Sequence, residues 1–109
     1  MPDLVLGEFE QLVLLALARL GSDAYGVSIA DDIGARTRRE ISLGAVYKTL
    51  ERLEDKGLVT SRIGEPTPER GGRRKKHYRL AASGQRALRQ SLAGLRSMTD
   101  GLESELRLP

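Results

Sequence analysis

The sequence predicts a mainly α chain with one small β-hairpin, a winged helix-turn-helix extended by a long C-terminal helix, and three observations carry that prediction. Apolar residues recur at helical spacing from Glu8 to Leu20 and again over 25–36 and 42–56. After Gly57 the period shortens to that of strands, interrupted by a Pro- and Gly-rich stretch, 64–72, that cannot be helical. Beyond Ser83, leucines return at steps of four and three. The order helix, helix, helix, strand, turn, strand is that of the winged form of the helix-turn-helix. A chain of 109 residues has room for one compact domain, placed at 1–81, and one further helix, placed at 82–109.

The first helix turns Phe9, Leu12, Val13, Ala16, Leu17 and Leu20 to one side and stops at Gly21. Leu14 and Leu15 give it a second apolar face, so it is either central to the domain or also touches another subunit. Ser22 and Asp23 offer caps for a second helix from Tyr25 to about Arg36, with Gly26, Ile29, Ala30 and Ile33 inward and Asp31, Asp32 and Arg36 in water. Thr37 to Ile41 is a polar connection. Ser42 is a good N-cap for the third helix, which runs to about Lys56 with Val46, Leu50 and Leu53 inward. Leu58–Ile63 and Arg74–Leu80 form the hairpin, with His77 and Arg79 on the face opposite Tyr78 and Leu80. Large aromatics are confined to Phe9, Tyr25, Tyr47 and Tyr78, so the core is built from Leu, Val, Ile and Ala, with Tyr25 and Tyr78 assigned mainly to packing.

The last helix, expected from about Ser83 to Leu106, places Leu88, Leu92, Leu95, Thr99, Leu102 and Leu106 on two interleaved heptad series. Gly94 and Gly101 each cost it about 1 kcal/mol relative to alanine, and alone it would be marginal in water. The pattern asks for a partner, and the simplest is the same helix of a second copy. Those six residues are therefore the candidate dimerisation set of a homodimer.

Net charge is only +3 but unevenly laid out. Residues 1–33 carry one base, Arg19, against six acids; residues 34–79 carry thirteen bases against six acids. That split places a polyanion-facing surface mid-chain. Outward of the third helix's apolar stripe lie Ser42, Gly44, Ala45, Lys48, Thr49 and Arg52. Its near end is small enough to enter a major groove, and Lys48, Thr49 and Arg52 can donate to phosphates or base edges. The alternative for this helix alone is an ordinary amphipathic helix with a solvated basic side. The hairpin adds Arg70, Arg73, Arg74, Lys75 and Lys76 around Gly71-Gly72, where the backbone can approach a phosphate closely and the bases displace counterions. Double-stranded DNA is the expected partner.

The sequence argues against other chemistries. No cysteine is present, which removes disulfides and thiolate metal sites and fits a cytoplasmic protein. The N-terminus does not resemble a signal peptide, no apolar run reaches membrane-spanning length, and no membrane partner is expected. His77 has no companion for a metal, and the adjacent Asp31 and Asp32 cannot both line one pocket. With no Ser/His/Asp set, nucleotide loop or paired carboxylates, neither catalysis nor a cofactor is expected.

Three segments carry a resemblance. Tyr25-Gly26, the run Gly44-Ala45-Val46-Tyr47-Lys48-Thr49-Leu50-Glu51-Arg52-Leu53-Glu54-Asp55-Lys56-Gly57-Leu58, and Gly72-Arg73 before Lys76-His77-Tyr78-Arg79-Leu80 resemble the PadR family of bacterial transcriptional regulators, from roughly Leu6 to Leu88. The resemblance implies a winged-helix domain, a homodimer built by the C-terminal helix, repression through near-palindromic promoter DNA, and the subfamily with a short single C-terminal helix. It also implies that Tyr47 and Lys48 meet the sugar–phosphate backbone and that Ser42 to Ala45 lie against bases. Read from position alone, beside the buried stripe, the Tyr47 ring belongs either to the core, with only its hydroxyl reaching out, or to the outward face. One departure is Ala81, where the family often carries a threonine cap; Ser83 is then expected to cap a slightly later start.

The combined expectation assigns Ser42, Gly44, Ala45 and Thr49 to reading sequence, Tyr47, Lys48 and Arg52 to holding the backbone, and the wing bases to general affinity. Two rival readings are a ligand-responsive multidrug-type regulator with an effector site at the dimer interface, lined by Phe9 and the second face of the first helix, and a winged-helix protein-interaction module. The scarcity of aromatics argues against the former, and no effector is named.

Overall fold

The computed structural model describes residues 5–64 and 75–109. Helix α1, Glu8–Leu20, ends at Gly21, whose φ of 58° suits glycine. A short 3-10 turn, Gly21–Asp23, leads to α2, Gly26–Thr37. The cap of α2 is Ser28, not Ser22 or Asp23: its hydroxyl accepts the Tyr25 N–H at 3.0 Å and donates to the Asp23 carbonyl at 2.6 Å. Arg38 then turns the chain in a left-handed conformation, φ 55°. Helix α3, Leu43–Asp55, starts at Ser42, whose hydroxyl accepts the Ala45 N–H at 3.2 Å.

Strands β1, Val59–Ile63, and β2, Lys76–Leu80, pair antiparallel with Val59 opposite Leu80, Ser61 opposite Tyr78 and Ile63 opposite Lys76. On its other edge β2 is tied to the start of α2. The Tyr78 N–H donates to the Ala24 carbonyl at 2.9 Å, and Tyr25 bridges to His77. This is the winged helix-turn-helix arrangement. The core joins Val13, Leu14 and Leu17 of α1 to Ile29 and Ile33 of α2 and to Val46, Leu50 and Leu53 of α3; Leu58, Val59, Tyr78 and Leu88 close it. Leu14, on the second apolar face, is fully buried, so α1 is central to the domain, whereas Phe9, Leu12 and Leu20 are only partly covered. Helix α1 is enclosed by α2, α3, α4 and β2, so its inner arc is wider than one stripe.

Helix α4, Ala82–Thr99, begins without a side-chain cap. Ser83 does not cap it: its hydroxyl donates to the Gly57 carbonyl at 2.7 Å, while the Ala81 N–H donates to the Leu58 carbonyl at 3.0 Å. The helix N-terminus is thus anchored to the start of β1 by tertiary bonds. Leu88 is the last buried residue of α4, and the rest of the helix projects, giving a radius of gyration of 15.7 Å against about 13 Å for a compact chain of this length. The expected continuous helix to Leu106 is broken. The Thr99 hydroxyl donates back to the Arg96 carbonyl at 3.0 Å, Gly101 takes a φ of 84°, and a separate short helix α5, Glu103–Leu106, follows. Leu102 and Leu106 therefore do not continue the heptad rows of α4.

An ion pair between buried Glu10 and exposed Lys56 joins the start of α1 to the end of α3. Glu10 Oε1 accepts the Gly7 N–H at 2.9 Å and Oε2 accepts from Lys56 Nζ at 2.8 Å, linking the first turn of α1 to the end of α3. Burial alone would raise the Glu10 carboxyl, but the Lys56 and Gly7 hydrogen bonds and the charges of Lys56 and Arg52 together hold it below its ordinary value of 4.5. A depressed folded value means the stabilisation is complete above the unfolded value and is lost as pH falls through the folded one. We expect Glu10→Gln to lower unfolding free energy by about 1–3 kcal/mol at neutral pH. That difference should shrink as urea melts are repeated toward about pH 3; a pH-independent difference would contradict the assignment.

Candidate nucleic-acid interface

The exposed stripe of α3 runs through Gly44, Lys48, Glu51 and Asp55, at steps of four, three and four. Ser42 and Ala45 flank its first turn and are exposed, as is Arg52. Apart from exposed Leu43, the stripe is thus small in its first turn and cationic at Lys48, whereas the last turn sets Arg52 among Glu51, Glu54 and Asp55. A polyanion is accommodated along Lys48 and Arg52 and repelled where Glu51 and Asp55 stand. Thr49 departs from the expectation: it is only 5% exposed. Buried with Val46, Leu50 and Leu53, it supports the core side of α3, and we withdraw it from the candidate contacts.

Tyr47 is 43% exposed, and its ring lies across the backbone of Gly26, where a Cβ would approach ring atom Cε1 to 2.6 Å. The tyrosine is neither core nor free: α2 supports one side of it and leaves the other open. The resemblance that joined Tyr25-Gly26 to the Tyr47 motif has this physical basis, since a residue larger than glycine would displace the ring.

The described part of the wing holds its lysines against aromatic rings. Lys75 Nζ sits 4.3 Å from the Tyr25 ring centroid, and Lys76 Nζ lies 5.6 Å from that of Tyr78 and 3.9 Å from Glu54 Oε1. Burial pushes the Tyr78 hydroxyl up, the nearby Lys76 charge opposing it, and the phenol stays neutral. On the opposite face stand Thr60, Arg62, His77 and Arg79. Arg62 adds a base that the sequence reading left unassigned. The expectations for Arg70, Arg73 and Arg74 lie outside the described residues. Among the described residues no group of metal-ligating side chains comes together, and no helix is long and apolar enough to cross a membrane.

Comparison with known proteins places this geometry. The family described as Transcriptional regulator PadR-like family matches residues 13–90, a span holding α2, α3, both strands of the wing and the docked half of α4. The chain belongs to the PadR-like family. A PadR family transcription regulator from Clostridium difficile is 30% identical over 92% of this chain and 99% of its own, with a TM-score of 0.70. A PadR family regulator from Eggerthella lenta is 28% identical, covering 94% of this chain and 88% of its own, TM-score 0.65. A PadR-like transcription factor from Bacteroides fragilis, 22% identical over 88% and 87% of the two chains with a TM-score of 0.71, speaks to the fold alone. No curated protein matches. As a PadR-like protein this chain is a DNA-binding transcriptional regulator.

Two residues of this PadR-like chain escaped sequence reasoning. Glu10 and Glu54 received no role from sequence, yet each ties α3 to another element. Their signal is faint in sequence, because partners 46 and 7 residues away have no periodic relation to them.

Proposed function

We propose that the protein is a homodimeric repressor that binds a near-palindromic promoter site, with Ser42, Gly44 and Ala45 against base edges and Tyr47, Lys48 and Arg52 on the sugar–phosphate backbone. The observation that carries this reading is the composition of α3's exposed end: a capped first turn in which Gly44 and Ala45 stand open beside Leu43, followed by Tyr47 and Lys48. Small residues let the helix backbone approach a groove floor, while the N-terminal amides and Lys48 favour phosphate. Lys75 and Lys76, with Arg70, Arg73 and Arg74, supply general affinity from the wing. A two-fold axis through the projecting α4 helices would set two α3 helices about one DNA turn apart, roughly 34 Å.

No effector is assigned. The groove of about 200 Å³ between α1 and α2 has Leu12, Leu15 and Ile33 as its floor, but Arg19 and Arg36 on its rim both turn to Asp32, at 3.9 and 3.0 Å.

The test is titration of labelled duplex from the protein's own promoter, followed by anisotropy at several salt concentrations. Lys48→Ala should weaken binding roughly tenfold and reduce the log–log salt slope by about one per half-site. Binding indifferent to both salt and sequence would overturn the proposal.

A further inference from the structure

We propose that Glu54 is a positioning residue that fixes the angle of the wing against α3 and thereby the sequence selectivity of the protein. The inference rests on the reading that α3 and the wing face DNA together. Glu54 lies in the last turn of α3 beside Glu51 and Asp55, which have no side-chain partner among the described residues. Glu54 has two. Its Oε2 accepts the Ser61 hydroxyl of β1 at 2.6 Å, and its Oε1 lies 3.9 Å from Lys76 Nζ of β2.

The register shows why one carboxylate reaches both strands. Ser61 stands opposite Tyr78 and Ile63 opposite Lys76, so strand alternation puts Ser61, Ile63, Tyr78 and Lys76 on the same face of the hairpin. The buried Tyr78 ring lies on that face. Lys76 lies at the end of β2 nearer the wing tip, whereas the burial of Val59 and Tyr78 secures the base of the hairpin. The Glu54 tie therefore acts beyond the secured base, on the described strand ends that are not held by the core.

Stability is a poor explanation for the arrangement. The Glu54–Lys76 pair is more than a third exposed on both sides, where ion pairs contribute little. General DNA affinity is a worse one, because a carboxylate beside the binding face repels phosphate. What remains is geometry: two short strands held at a set angle by a charge-assisted bond.

The experiment uses the full chain and two variants, Glu54→Ala and Ser61→Ala, checked by thermal melts. Each is titrated with the duplex that the wild type enriches from a random pool and with random-sequence duplex, at one salt concentration. Glu54→Ala should bind random duplex about two- to fivefold tighter, having lost a negative charge, while its preference for the enriched duplex falls about tenfold or more. Ser61→Ala, which alters no charge, should lose preference without the gain on random DNA. A merely structural role would weaken both duplexes together and keep the ratio; that result, or an unchanged ratio in both variants, overturns the inference. A wild type with no preference at all overturns the underlying DNA reading and this inference with it.

Discussion

Gly84→Ala should lower the unfolding free energy by roughly 3 kcal/mol, the upper end for overpacking one carbon into a closed site, and the melting temperature by roughly 12–20 °C. The reason is the seat of α4. A Cβ at Gly84 would overlap the Leu58 carbonyl oxygen and approach the carbonyl carbon and Leu80 Cδ1 to 3.0 Å each. That oxygen already accepts the Ala81 N–H, and one residue earlier the Gly57 carbonyl accepts the Ser83 hydroxyl. Backbone cannot swing aside as a flexible side chain would, so α4 must lift, and both bonds go with it. Gly94 supplies the contrast within the same helix, since a Cβ there meets nothing within 4 Å. Gly94→Ala should gain up to about 1 kcal/mol from helix propensity. Paired urea melts decide the matter: two alanines of the same sign and size would show that Gly84 is not a packing glycine.

Much of the architecture was legible because periodicity reports which residues share a face. The steps of Val46, Leu50 and Leu53 located the inner side of α3, and the change of period after Gly57 located the wing. What periodicity does not report is how wide the buried arc is. Thr49 lies within the arc of Val46, Leu50 and Leu53, yet it was assigned outward, and the second apolar face at Leu14 left open whether domain or partner covers it, because three or four neighbouring elements cannot be counted from one helix. Glycines were misread in a related way. Gly101 was counted as a propensity cost within a continuing helix, but at a φ of 84° it stops the helix outright. Gly26 was placed inward, but its contact with Tyr47 and that of Gly84 with Leu58 were not foreseen, since those groups are distant in sequence. Long-range polar ties such as Glu10 to Lys56 leave no pattern to read. The candidate site was correspondingly clear in its charges and its capped first turn, and opaque in the supports that hold Tyr47 and the wing in place.

Leu95→Asp should separate the proposed dimer and weaken binding to the full promoter site by roughly 10²–10⁴-fold, the advantage lost when two linked half-site contacts become one. Beyond Leu88 the helix projects from the domain with Leu95 54% and Met98 75% exposed, Leu92 beside them. Each large apolar side chain covered by a partner contributes about 1.5–3 kcal/mol, and two-fold symmetry counts each one twice. An aspartate in that row places a carboxylate in the seam on both sides, where desolvation without a partner costs several kcal/mol. The domain itself should be untouched, since its core ends at Leu88 and Leu95 packs on little of it. Sedimentation at micromolar concentration should therefore give the 12.0 kDa chain mass with an unchanged circular dichroism spectrum. Random duplex, bound by a single wing and helix, should lose far less affinity than the promoter site. A variant that still sediments as a dimer removes Leu95 from the interface. A true monomer that grips the full site as tightly as the wild type removes pairing from recognition altogether, because one α3 helix spans only one half-site.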